Sequence, residues 1–165
     1  MTTDRPREAE LERKFWDALD ESPFLMVGLQ GVDDAHTRPM TAQVDDRRIW
    51  FFAHRSDELV KRLADSGRAI ATFASKGHDL FACIHGSLAI DGDPSRIERL
   101  WSSSVAAWYE RGRDDPEVIL IRFDAERLHV WKSAGGSIFE AALLKLTGRD
   151  PKVAEQDENR ADVTL

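Results

Sequence analysis

Five short runs rich in β-branched and aromatic residues follow one another at 24–29, 37–44, 48–53, 69–74 and 80–90. Turn chemistry separates them at Gly31-Val32-Asp33-Asp34, Asp45-Asp46 and Lys76-Gly77-His78-Asp79. Strands so short and so closely spaced predict a curled sheet or barrel. Two further runs, 117–123 and 127–131, read as strands joined by a tight turn at Asp124-Ala125-Glu126.

Helical periodicity fills the intervals. Leu11, Phe15 and Leu19 stand at four-residue steps among charges, which predicts an amphipathic helix over 7–20 that stops before Ser22-Pro23. A helix over 57–64, capped by Ser56, interrupts the strands. Asp93-Pro94 opens another, with Ile97, Leu100, Trp101, Val105 and Trp108 at helical spacing as core or interface residues. Phe139, Leu143 and Leu146 mark a last helix before Gly148. With no internal repeat and no low-complexity linker, residues 1–150 read as one domain and 151–165 as a polar tail, of which 162–165 is able to add a short strand.

A chain of 165 residues, 42% apolar, buries enough core to fold as one unit without disulfide or metal. Its formal charge of −7, with bases interleaved among acids, argues against nucleic acid as partner. The single cysteine, Cys83, excludes an internal disulfide framework and fits a reducing cytoplasm. Neither an apolar signal core nor a run of roughly 20 apolar residues is present, so no membrane partner is expected.

Chemistry concentrates between 37 and 63. Arg38 stands early on a strand, and His54-Arg55-Ser56 lies where a strand hands over to a helix, whose unpaired N–H groups favour anions. This is a candidate phosphate site, although Arg38 is equally readable as a surface arginine on an edge strand. Cys83 and His85 share a strand face, which suits either a nucleophile pair or a buried thiol beside a hydrogen-bonded histidine. No metal site is expected, because none of the five histidines has a metal-binding spacing. Trp101, Trp108 and Trp131 suit core packing or the wall of a ligand cavity. Asp114-Asp115-Pro116 reads as a turn.

Taken in order, Arg38-Pro39-Met40, Trp50-Phe51-Phe52-Ala53, Leu100-Trp101, Ala107-Trp108-Tyr109, Gly112-Arg113-Asp114-Asp115-Pro116 and Val130-Trp131 resemble the general stress protein branch of the pyridoxamine 5′-phosphate oxidase-like flavin-binding proteins. The resemblance covers roughly residues 10–132. It implies a mainly β (α+β) fold, a six-stranded split β-barrel with flanking helices, and a homodimer with FMN near its interface. It also implies a cofactor site drawn from Arg38, Pro39, Met40, Phe52, Ala53, His54, Arg55, Lys61 and Trp101, with Arg38 contacting the flavin.

Two positions depart from the pattern. Many family members carry a hydroxyl residue where Ala53 stands and a phosphate-binding lysine where Leu59 stands, and here Asp57 and Glu58 add negative charge. His54, Arg55, Lys61 and Arg62 are the basic groups able to compensate. A side chain two positions along a helix turns by roughly 200°, so Lys61 does not simply replace residue 59. The basic C-terminal signature of authentic pyridoxamine phosphate oxidases is absent, which disfavours vitamin B6 oxidation. The expectation is an FMN-dependent oxidoreductase of unnamed substrate, possible links to stress included. The alternatives are a non-enzymatic flavin carrier or sensor, and a split barrel holding deazaflavin, haem or nothing.

Overall fold

The computed structural model describes residues 5–33, 35–133 and 160–165. In chain order the elements are α1 (Arg5–Glu21), β1 (Phe24–Leu29), β2 (Arg38–Thr41), β3 (Gln43–Asp45), β4 (Arg48–His54), α2 (Glu58–Arg62), β5 (Arg68–Ala74), β6 (Leu80–Asp91), α3 (Pro94–Leu100), α4 (Ser103–Ala106), β7 (Val118–Lys132) and β8 (Arg160–Thr164). All strand pairings are antiparallel. The order across the sheet is β2-β1-β5-β6-β7-β4-β3, with β8 paired to β7 beside this path.

That order fixes the shape. β2 and β3 are the two outer strands of the path, yet only Ala42 separates them in sequence. One residue spans about 3.8 Å, so the two edges must meet and the sheet must curl into a barrel. Ala42 makes this corner: its side chain is buried, and its N–H donates to the Pro23 carbonyl at 2.7 Å. The single strand expected over 37–44 is therefore broken in two, because each half bonds to a different edge. Counting β2 and β3 as one bent strand gives the six-stranded split barrel, to which β8 is added.

Alternation fills the interior. Leu25 and Val27 from β1, Ile49, Phe51 and Ala53 from β4, Ala69, Ala71 and Phe73 from β5, Ile84 from β6 and Leu128 and Val130 from β7 all point inward and are buried. Helix α1 delivers its stripe to the same core, where Phe15 meets Phe73 edge to face with ring centroids 5.7 Å apart. Burying such aromatic rings contributes on the order of 2–3 kcal/mol each. A separate set is buried outside that cluster, Trp50 on β4, Val118 and Leu120 on β7 and Val105 on α4, and the Arg96 guanidinium of α3 lies over the Trp50 ring.

Three local expectations are corrected. Residues 124–126 form no turn: β7 runs unbroken through them because β6 pairs with it on both sides, and the extra residue is absorbed as a bulge opposite His85 and Gly86. A Cβ on Gly86 would lie 2.1 Å from the Asp124 carbonyl oxygen, so only glycine permits this approach. The helix expected through Trp108 ends at Leu100; Trp101 is its extended C-cap, and Ser102 caps a new short helix by accepting from the Val105 N–H. Ser56 caps nothing. Asp57 holds the N-cap position of α2, without a side-chain cap bond. The helix expected around Phe139, Leu143 and Leu146 lies outside the described residues. Among those described, no helix is long and apolar enough to cross a membrane.

Candidate functional site

The junction between β4 and α2 separates two features. On one side is a small cleft lined by Leu29, Ala35, His36, Arg38, Glu58, Leu59 and Arg62. Gly28 helps to form it, because a Cβ there would meet Thr37 Cγ2 at 3.0 Å, and its absence lets residues 36 and 37 pass close over β1. Arg38 enters from the β2 edge, half-buried, and its guanidinium makes no hydrogen bond or ion pair among the described residues. Arg62 enters from α2, with one terminal nitrogen donating to the Asp33 carbonyl at 2.7 Å. The cleft's volume is about 30 Å³. A single water needs about 10–15 Å³, so the cleft has room for a small polar group and opens to solvent.

Charge decides what such a cleft attracts. Among the described residues two guanidiniums, Arg38 and Arg62, line the cleft with one carboxylate, Glu58, and arginine offers an anion a planar fork of donors. A phosphate monoester fits this set. The helix end adds little, since α2 has only five residues and Glu58 sits in its first turn.

On the other side of the junction stands an aromatic wall. Phe52 meets Trp101 edge to face at 5.3 Å, and Tyr109 lies 6.3 Å from Phe52, 5.7 Å from Trp101 and 4.8 Å from His54. Alternation along β4 explains the grouping, since Phe52 and His54 face outward while Ala53 between them is buried in the core. The His54 N–H donates to Asp57 Oδ2 at 3.1 Å, which folds the start of α2 back on the strand. Burial, aided by the charge of Asp57, pushes the Tyr109 phenol up to about 12. It stays protonated at neutral pH and keeps an O–H to donate.

The structure thus groups Arg38 with α2, and Phe52, His54 and Trp101 with Tyr109. Met40 packs against the core, and Pro39 is exposed on β2. Arg55 is turned away, its Nε donating to the Pro116 carbonyl at 3.4 Å. Lys61 is exposed and does not line the cleft. Tyr109 and His36 were not singled out by sequence. Tyr109 carried one signal, its place beside Trp108 in a motif, whereas His36 carried none.

A sequence profile of the family described as pyridoxamine 5′-phosphate oxidase like matches residues 10–152. The chain belongs to this family. The general stress FMN/FAD binding protein of Xanthomonas citri is 46% identical to it over 78% of this chain and 93% of its own, with a TM-score of 0.72. A general stress family protein of Xanthomonas campestris is 47% identical over 78% of this chain and 91% of its own, also at 0.72. A general stress protein 26 of Jannaschia is 29% identical over 95% and 99% of the two chains, with a TM-score of 0.78. No curated protein matches significantly. Within the pyridoxamine 5′-phosphate oxidase-like family the chain stands in the general stress branch.

This oxidase-like chain carries a second surface, set by strand register. Across β1, β5, β6, β7 and β8 the outward residues align in rows: Met26, Thr72, Cys83, His129 and Asp162 in one, and Gly28, Ile70, His85, Arg127 and Thr164 in the next. Ala74, Phe81, Trp131 and Arg160 make a third row. Met26, Phe81 and Trp131 are each about two-fifths exposed, and Phe24 more so. Trp108, expected as a core or interface residue, lies outside the core and is 79% exposed in the single chain. Cys83 Sγ and His85 Nε2 lie 3.5 Å apart, but burial pushes the thiol up, and burial with the nearby Arg127 charge pushes the imidazole down. A neutral thiol beside a neutral imidazole is a poor nucleophile pair. His129 Nδ1 instead contacts Asp162 Oδ1, tying β8 to β7. Among the described residues no three His, Cys, Asp or Glu side chains gather at metal-binding geometry.

Proposed function

We propose that this protein binds FMN, with the phosphate in the Arg38 cleft and the aromatic wall of Phe52, Trp101 and Tyr109 on the far side of the β4–α2 junction, and that it acts as an oxidoreductase on a small substrate. The observation that carries this reading is half-buried Arg38, whose guanidinium has no partner among the described residues, at a small cleft that Arg62 also lines. A guanidinium without a protein partner has its donors available to a ligand anion. The flavin binding of the Xanthomonas citri relative supports the reading. Arg38 and Arg62 would hold the phosphate, while Tyr109 would offer a proton donor at the wall.

When bound, a flavin supplies hydride or electron transfer, and the protein need only hold it and shape a pocket beside it. The outward rows centred on Met26, Phe81 and Trp131 suit a two-fold interface with a second copy, since an isologous contact needs one self-complementary apolar patch.

Titration of the purified protein with FMN, followed by flavin fluorescence and melting temperature, tests the reading. Binding to the native state must raise the melting temperature. Arg38→Ala should weaken FMN binding by about 10- to 100-fold, the usual worth of a hydrogen bond to a charged group. Neither a fluorescence change nor a thermal shift in the unmodified protein would remove the flavin from the account. Bound flavin that neither nicotinamide cofactor reduces would point to a carrier.

A further inference from the structure

We propose that Arg96 is a positioning residue: clamped between Trp50 and Asp91, it sets the axis of α3 so that the helix delivers Trp101, and Tyr109 behind it, onto Phe52. The inference rests on the flavin reading above, which gives this aromatic wall its function. It goes beyond that reading in naming what holds the wall in place.

The need for a clamp follows from α3 itself. None of its seven residues is fully buried, and Ile97 and Leu100 are only half-covered, so apolar burial alone fixes its direction poorly. Arg96 supplies what is missing. Its guanidinium carbon lies 4.8 Å from the centroid of the Trp50 ring, and its Nε stands 3.5 Å from Asp91 Oδ2. The same carboxylate oxygen accepts the Trp50 indole N–H at 3.0 Å, and Asp91 Oδ1 accepts the N–H of the N-cap Asp93 at 3.1 Å. Cation, ring and carboxylate thus close a triangle among α3, β4 and the end of β6.

Arg96 is more than a surface partner. Its Nε is buried and makes no hydrogen bond among the described residues, a cost that the Asp91 charge and the ring face offset. Strand alternation puts Trp50 and Phe52 on the same side of β4, two positions apart. The helix therefore meets one strand face twice, through Arg96 on Trp50 and through its C-cap Trp101 on Phe52. Rotation about the first contact displaces the second. The other ion pairs of α3, Arg99 with Asp45 and Glu98 with Arg113, join exposed side chains and contribute little.

Tyr109 reports on the clamp, because burial in the wall is the main cause that pushes its phenol up to about 12. In ultraviolet titration of the ligand-free protein, Arg96→Gln should lower that midpoint toward the ordinary 10.0. Loss of a nearby cation alone would raise a phenol, so a fall reads exposure rather than charge. Arg96→Ala, the better helix former, should do the same and carries the test if Arg96→Gln does not fold. Arg96→Lys keeps a cation over the ring and should hold the midpoint near that of the unmodified protein, and Arg99→Gln should leave it unchanged. FMN affinity should fall about 2- to 30-fold in Arg96→Gln, the range a cation over an aromatic face is worth. A midpoint unmoved by Arg96→Gln and Arg96→Ala would overturn the inference, whatever happens to the melting temperature. An equal fall in Arg99→Gln would also overturn it, since any loosening of α3 would then suffice. A lowered midpoint with unchanged FMN affinity would break the link between clamp and ligand and leave the flavin reading standing. No FMN binding by the unmodified protein would overturn the flavin reading, while the Tyr109 midpoints still decide whether Arg96 holds the wall.

Discussion

Tyr109 is the only tyrosine in the chain, so its phenol can be followed without interference from another. In the folded protein the phenol titrates near 12 against an ordinary 10.0, because burial and the Asp57 charge both oppose the phenolate. The native state therefore keeps this proton at pH values where the unfolded chain has lost it. The stability this contributes is complete below about pH 10 and is lost as pH climbs toward 12. Ultraviolet titration of the phenolate band should place the native midpoint well above the unfolded one, and Tyr109→Phe should flatten the fall in stability over that window. A native midpoint at the ordinary value would show that Tyr109 is not desolvated as the fold indicates. At the same scale, Arg38 was legible in sequence because it sits in a recognisable tripeptide, and the compensating cation was not. Arg62 and Lys61 are neighbours of like charge, and only the rotation of a helical turn against a loop tells them apart.

The long antiparallel ladder of β6 and β7 shows what an element owes to its partner. Asp124-Ala125-Glu126 has the composition of a turn, and read alone it is one. Beside a twelve-residue β6 that pairs on both flanks, ladder hydrogen bonds override that preference and the surplus residue becomes a bulge. The bulge depends on Gly86. Gly86→Ala should destabilise the fold by about 3 kcal/mol in denaturant unfolding, since the added methyl meets backbone that cannot move away. A loss below about 0.5 kcal/mol would mean that the strands separate freely there. The opposite error occurs in the segment after Asp93, where helical spacing carries through Trp101 although Ser102 restarts the helix with its own cap. Periodicity records which residues favour one face; it does not record a change of axis between them.

The whole molecule is decided by closure. The single residue between β2 and β3 forces the sheet edges together, which sends Leu25, Phe51 and Phe73 to one interior and leaves Met26, Phe81 and Trp131 on a common outer face. If that face is the contact between two copies, Phe81→Glu should yield a monomer by light scattering where the unmodified chain gives twice the mass, with the circular dichroism spectrum unchanged. An unmodified chain that is already monomeric would sink the dimer. What the sequence determined by itself is local and periodic: the run of short strands, the α1 stripe of Leu11, Phe15 and Leu19, the turn at 76–79 and, one residue on from the expected Asp45-Asp46, the turn at Asp46-Arg47, and Arg38 at the head of its strand. Those follow from side-chain spacing and backbone preference, which act over a few residues. Tertiary structure alone decided that Arg38 and Arg62 share a cleft, that Tyr109 joins Phe52 and Trp101 in one wall, and that Trp108 lies outside the core. These depend on how the sheet closes and which axis each helix takes, and contacts across twenty or more residues leave no periodic trace in the chain that makes them.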